Sequence, residues 1–104
     1  MVIRTHAIHF HPKQRLINFI QQHLDKLETF SHALQKGDVY LRVNNEGIRN
    51  KTVEIALDIP GGRLFVCKKA ETFEAATLGA VHSLKSQLKK IKERIIRKRH
   101  RTEI

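Results

Sequence analysis

Nine of the seventeen residues from Lys85 to Arg101 are lysine or arginine, and Glu93 is the one acid among them. Residues 1 to 84 carry eleven basic residues against eight acidic ones, so almost all of the net charge of +10 sits on that one stretch. Ammonium and guanidinium groups stay protonated at neutral pH and suit neutralisation of phosphates rather than proton transfer. The sequence pI near 10.3 points the same way, toward a polyanionic partner and nucleic acid above all. Lys85, Lys89 and Lys92 stand at i, i+4 and i+7, one face of a helix, while Lys90, Arg94, Arg97, Lys98, Arg99 and Arg101 continue around its sides. Like charges four residues apart cost a helix a few tenths of a kcal/mol per pair, a cost that a bound polyanion removes. The plain alternative is a solvated helix end whose cations gain from the helix dipole.

Other chemistry is sparse. His6, His9 and His11 could suggest a metal, with His9 and His11 at alternating strand positions, but no Cys, Asp or Glu joins them and Pro12 ends the run. Surface positions or RNA contacts suit them better. There is no carboxylate pair in a pocket-forming segment, no activated nucleophile and no phosphate loop, so no catalytic activity, small-molecule substrate or cofactor is expected. Tyr40 and Arg42 alternate with apolar residues and could stack on or pair with nucleotides, or simply be exposed. A cationic amphipathic helix could also lie on an anionic membrane. Its stripe, however, is aliphatic, lacks Trp and is needed to cover the rest of the fold.

The elements that must position these residues follow from periodicity. Val2 to Phe10 reads as a first strand that Pro12 ends. Leu16, Ile17, Ile20, Leu24 and Leu27 predict a one-sided helix from about residue 12 to about 30, with Pro12 in its first turn. After Gly37-Asp38, Val39, Leu41 and Val43 alternate with polar residues as a second strand, up to the turn Asn45-Glu46-Gly47. Lys51 to Ile59 is the most regular strand, and Pro60-Gly61-Gly62 can reverse the chain into a fourth, Arg63 to Lys68. Thr72 caps a long second helix, with Glu74 favoured at its positive end. Its apolar stripe is Phe73, Ala76, Ala80, Val81, Leu84, Leu88, Ile91 and Ile95. The fold class is α+β in the order β-α-β-β-β-α, a four-stranded sheet with two helices packed on one face. A helix from Phe73 to Arg99 would be about 40 Å long against strands of about 26 Å, so its basic end is expected to overhang the body.

With 104 residues, 40% apolar and 29% charged, the chain suits one domain, residues 1–104, with a basic helical extension from about 94 to 104. A single cysteine, Cys67, fits a reducing compartment. The first residues lack a signal-like apolar stretch and no run of eighteen apolar residues occurs, so a cytoplasmic protein is expected.

Six segments carry a family resemblance: Leu24-Asp25-Lys26-Leu27-Glu28-Thr29-Phe30, Asp38-Val39-Tyr40-Leu41-Arg42, Asn50-Lys51-Thr52-Val53-Glu54-Ile55, Ile59-Pro60-Gly61-Gly62, Glu71-Thr72-Phe73-Glu74-Ala75-Ala76 and Gln87-Leu88-Lys89-Lys90. Together, in this order, they resemble the ribosome hibernation promoting factors, the ribosome-associated translation inhibitors also described as sigma-factor modulation proteins. The resemblance covers essentially the whole chain. It implies a fold similar to double-stranded-RNA-binding domains, docked where messenger and transfer RNA pass through the small ribosomal subunit, idling ribosomes under starvation or in stationary phase. It implies contacts to ribosomal RNA from the second helix, carried over to Lys89, Lys90 and Lys92. Ser83 and Ser86 stand where many relatives are basic, which shifts the expected contacts toward Lys85 and the tail from Arg94 to Arg101. A short form is expected, monomeric off the ribosome.

Two other readings remain: a general binder of structured RNA, and a protein-interaction module that modulates a transcription factor. Double-stranded-RNA-binding domains typically carry their basic residues near the start of the second helix, where this chain has Glu71 and Glu74.

Overall fold

Alternation of apolar and polar residues makes the strands, because successive side chains point to opposite faces and only one face here is covered. In the computed structural model, which describes residues 1–29, 34–45 and 47–102 (side chains of 95–102 excepted), strands β1 (Val2–Ala7), β2 (Lys36–Val43), β3 (Lys51–Ile59) and β4 (Gly62–Ala70) form one sheet in the order β1-β2-β3-β4. β1 runs parallel to β2, and the other neighbours are antiparallel. The parallel pair requires a crossover, supplied by helix α1 (Gln14–Asp25) and a 3₁₀ turn (Lys26–Thr29). Helix α2 (Phe73–Thr102) closes the chain.

Val39, Leu41, Val53, Ile55, Leu57, Leu64 and Val66 line one face of the sheet. Against them lie Leu16, Ile20 and Leu24 from α1 and Phe73, Ala76, Ala80, Leu84 and Leu88 from α2. The expected β-α-β-β-β-α order and single helix layer are both present. Of the expected α2 stripe, Val81 and Ile91 pack at the edge of this core, and the Ile95 side chain lies outside the described residues.

Boundaries moved where local geometry overrides pattern. β1 stops at Ala7 because His9 takes φ +64°, a left-handed conformation incompatible with a strand,. His9 and His11 therefore sit in the loop before α1 rather than at alternate strand positions. Pro12 precedes the N-cap Lys13 instead of entering the helix. The α-helix gives way to the 3₁₀ turn at Lys26, and Phe30, the expected end, lies outside the described residues. β2 begins at Lys36 and takes in Gly37 and Asp38. Gly37 does not break the strand; it leaves room, since a Cβ there would meet Leu57 Cδ2 at 2.6 Å and Ile3 Cδ1 at 2.9 Å. In the β3–β4 hairpin, Ile59 pairs with Gly62 across Pro60 and Gly61, and Gly61 has φ +85°. Proline at the first central position and a positive-φ glycine at the second is the type II turn pattern. β4 then runs to Ala70, two residues past the expected end. In the turn between β2 and β3, Gly47 has φ +85°, and Glu46 lies outside the described residues.

Candidate nucleic-acid interface

α2 starts where Thr72 Oγ1 accepts from the Ala75 backbone N–H at 3.1 Å, a side-chain cap with Glu74 in the first turn,. From there 30 residues of helix rise about 45 Å, while the nine-residue strands span about 30 Å. The overhang expected from the sequence is present, and the molecule measures 56 × 26 × 19 Å. α1 and α2 both run antiparallel to the strands they follow, so α2 projects beyond the end of the sheet that carries the β3–β4 hairpin. Leu64, next to that hairpin, borders Gln87, Lys90, Ile91 and Arg94.

Burial of Leu84 and Leu88 fixes the rotation of the helix, and the cations fall on both flanks of that buried line. Lys85, Lys89 and Lys92 line one flank with His82, Ser86, Leu88 and Glu93, along an open groove of about 600 Å³. Lys90 and Arg94 lie on the other, beside a smaller hollow of about 220 Å³. All five cations are exposed. Among the described residues no ion pair engages Lys89, Lys90, Lys92 or Arg94. The helix therefore presents two rows of cations with His82, Ser86 and the single acid Glu93 in the arc between them, a geometry that can straddle a phosphate backbone. Side chains of Arg97, Lys98, Arg99 and Arg101 lie outside the described residues, although the helix backbone extends through them.

Arg42 is not part of this cluster. It stands on the opposite face of the sheet, with Nη1 3.3 Å from Glu54 Oε1. That face also holds an ion-pair network that residue types alone do not disclose. Arg63 donates from Nη2 to Asp38 Oδ2 at 2.8 Å and from Nε to Asp58 Oδ1 at 2.6 Å, and His6 Nε2 donates to Asp38 Oδ1 at 3.2 Å. The His6 hydrogen bond, followed by that of Arg63, holds the Asp38 carboxyl below its ordinary range. Asp38 and Arg63 are 25 residues apart, and only the strand register brings them together. The signal was the hairpin itself: a two-residue turn at Pro60-Gly61 pairs Asp58 with Arg63 directly.

A family model described as Sigma 54 modulation protein / S30EA ribosomal protein matches residues 3–96. The chain belongs to that family. It is the family expected from the six sequence segments, and the match runs from β1 into the protruding part of α2, through Arg94. The S30EA fold recurs in solved structures. One is the N-terminal domain of Thermus thermophilus Protein Y, with TM-score 0.77 and 22% identity over 88% of this chain and 99% of that one. Another is a ribosomal subunit interface protein from Coxiella burnetii, with TM-score 0.80 and 16% identity over 89% and 99%. No curated protein matches the chain in sequence. Among the described residues no helix is long and apolar enough to cross a membrane.

Proposed function

We propose that this S30EA-family chain is a cytoplasmic translation inhibitor that binds the ribosomal RNA of the small ribosomal subunit. It occupies the channel of messenger and transfer RNA and idles the ribosome under starvation or in stationary phase. The observation that carries this reading is the protruding end of α2, with Lys85, Lys89 and Lys92 on one flank and Lys90 and Arg94 on the other. Arg97, Lys98, Arg99 and Arg101 extend the same charge along the chain. Inhibition by occupancy needs no reaction: cations replace the counterions of phosphates, and shape places the body. The family and the ribosomal interface protein with the same fold support the choice of ribosome over free RNA.

A pull-down in which ribosomes compete with duplex RNA separates this reading from its rivals. Preferential retention of small subunits supports it, equal competition by duplex RNA indicates a general RNA binder, and indifference to both indicates a protein partner. Binding through about six phosphates should also weaken about 10³-fold between about 50 and 200 mM salt, measured by equilibrium sedimentation. A flat salt response contradicts the phosphate contacts.

A further inference from the structure

Both helices cover one face of the sheet, and among the described residues nothing packs on the other. Strand register orders that second face into cross-strand rows. One reads Arg4, Asp38, Ala56, Phe65; the next reads His6, Tyr40, Glu54, Cys67; the third reads Arg42, Thr52, Lys69. Five cations, Arg4, Lys36, Arg42, Arg63 and Lys69, thus share the face with three carboxylates, Asp38, Glu54 and Asp58. The pairing is uneven. Asp38 and Asp58 are taken up by Arg63, and Glu54 by Arg42. Arg4 and Lys69, at opposite corners, have no ion-pair partner among the described residues. A ligand lying across the face meets neutralised acids in the middle and cations at both ends.

The rings on this face are placed for stacking. His6 and Tyr40 stack with centroids 4.8 Å apart and planes 18° from parallel, so the pair stands as one thick plate. Phe65 is 58% exposed, although a phenylalanine with room in the core would be buried. Two strands and one row separate it from Tyr40, about 12 Å at ordinary sheet spacings. Ala56, short and buried beside Phe65, and Glu54, held by Arg42 beside Tyr40, are the β3 residues between the two. Aromatic rings on an open four-stranded sheet with cations at the rim are a means of holding two or three unstacked bases of a single strand. Rigid duplex RNA offers such a flat face no base surfaces to stack on.

We infer that the uncovered sheet face is a second RNA-binding surface, specific for single-stranded RNA. Bases stack on Phe65 and on the His6–Tyr40 plate, while Arg4 and Lys69 take the flanking phosphates. It is separate from the phosphate-binding flanks of α2.

The chain supplies its own probe: Tyr40 is the only tyrosine and there is no tryptophan, so intrinsic emission reports from this face alone. Titration of the full chain with single-stranded oligouridylate and oligoadenylate should quench that emission saturably, whereas a blunt RNA duplex should not. Phe65→Leu removes an exposed ring without touching the core and should weaken the oligonucleotide at least about fivefold, with an unchanged circular dichroism spectrum. Exposed Cys67, in the same row as Tyr40, should react more slowly with iodoacetamide when the single strand is bound. Reversal of Lys89, Lys90 and Lys92 to Glu should leave the quench at saturation intact, which distinguishes this surface from the ribosome-binding reading. The inference is overturned if no oligonucleotide quenches Tyr40, if the duplex quenches equally, or if Phe65→Leu binds as well as the parent. Protection of Cys67 by ribosomes but by no oligonucleotide would assign the face to a folded ribosomal surface rather than a single strand and also overturn it.

Discussion

Asp38 ties three strands together, accepting from His6 on β1 and from Arg63 on β4 while itself belonging to β2. Its carboxyl is held below the ordinary carboxylate value by those hydrogen bonds. A lowered folded-state value means that this contribution to stability is complete above the unfolded value and is lost as pH falls through the folded one. Chemical denaturation between neutral pH and strong acid should show the parent losing stability in the acid limb. Asp38→Asn should be less stable at neutral pH and show a shallower acid limb; identical acid limbs would remove Asp38 from the account. This network was not legible from residue types alone. Asp38 and Arg63 look like ordinary exposed charges until the hairpin register is known, and the same register sets Arg42, on the strand face expected for it beside Tyr40, against Glu54.

At the scale of elements, strong periodicity read correctly. β3 has its expected bounds of Lys51–Ile59 because alternation there is unbroken, and α2 starts at Phe73 because Thr72 and Glu74 mark its first turn. Pattern failed where one residue's backbone or volume decided. His9 at φ +64° shortened β1, and Gly37, a breaker by composition, is in the strand because Leu57 and Ile3 need its space. The cap of α2 is a sharp test of element-level reasoning. Thr72→Ala should lower stability by about 1 kcal/mol, seen as a shifted denaturation midpoint with unchanged slope. No shift would mean that the Ala75 hydrogen bond adds nothing that water does not.

The whole molecule is polarised in two senses. Along its 56 Å length a packed body carries nearly balanced charge and a protruding helix carries the excess. Across its thickness, helices cover one face of the sheet and leave the other open. The overhang was legible in the sequence because it needs only a rise per residue and a strand length. The open face follows from two helices packed on one side, as expected, but its membership was not legible, since residues facing away from the core look like any solvated set until strand order puts Phe65, Tyr40 and His6 on one plane. Among the described residues Lys89, Lys90, Lys92 and Arg94 meet none of the body's acids in an ion pair, so these cations remain available to an external polyanion.

Cosedimentation of purified small ribosomal subunits with the parent chain and with the variant Lys89→Glu, Lys90→Glu, Lys92→Glu tests that claim most directly. The parent is expected to travel with the subunit, while the variant, with an unchanged circular dichroism spectrum, stays at the top of the gradient. A folded variant that sediments with the subunit as fully as the parent would contradict it.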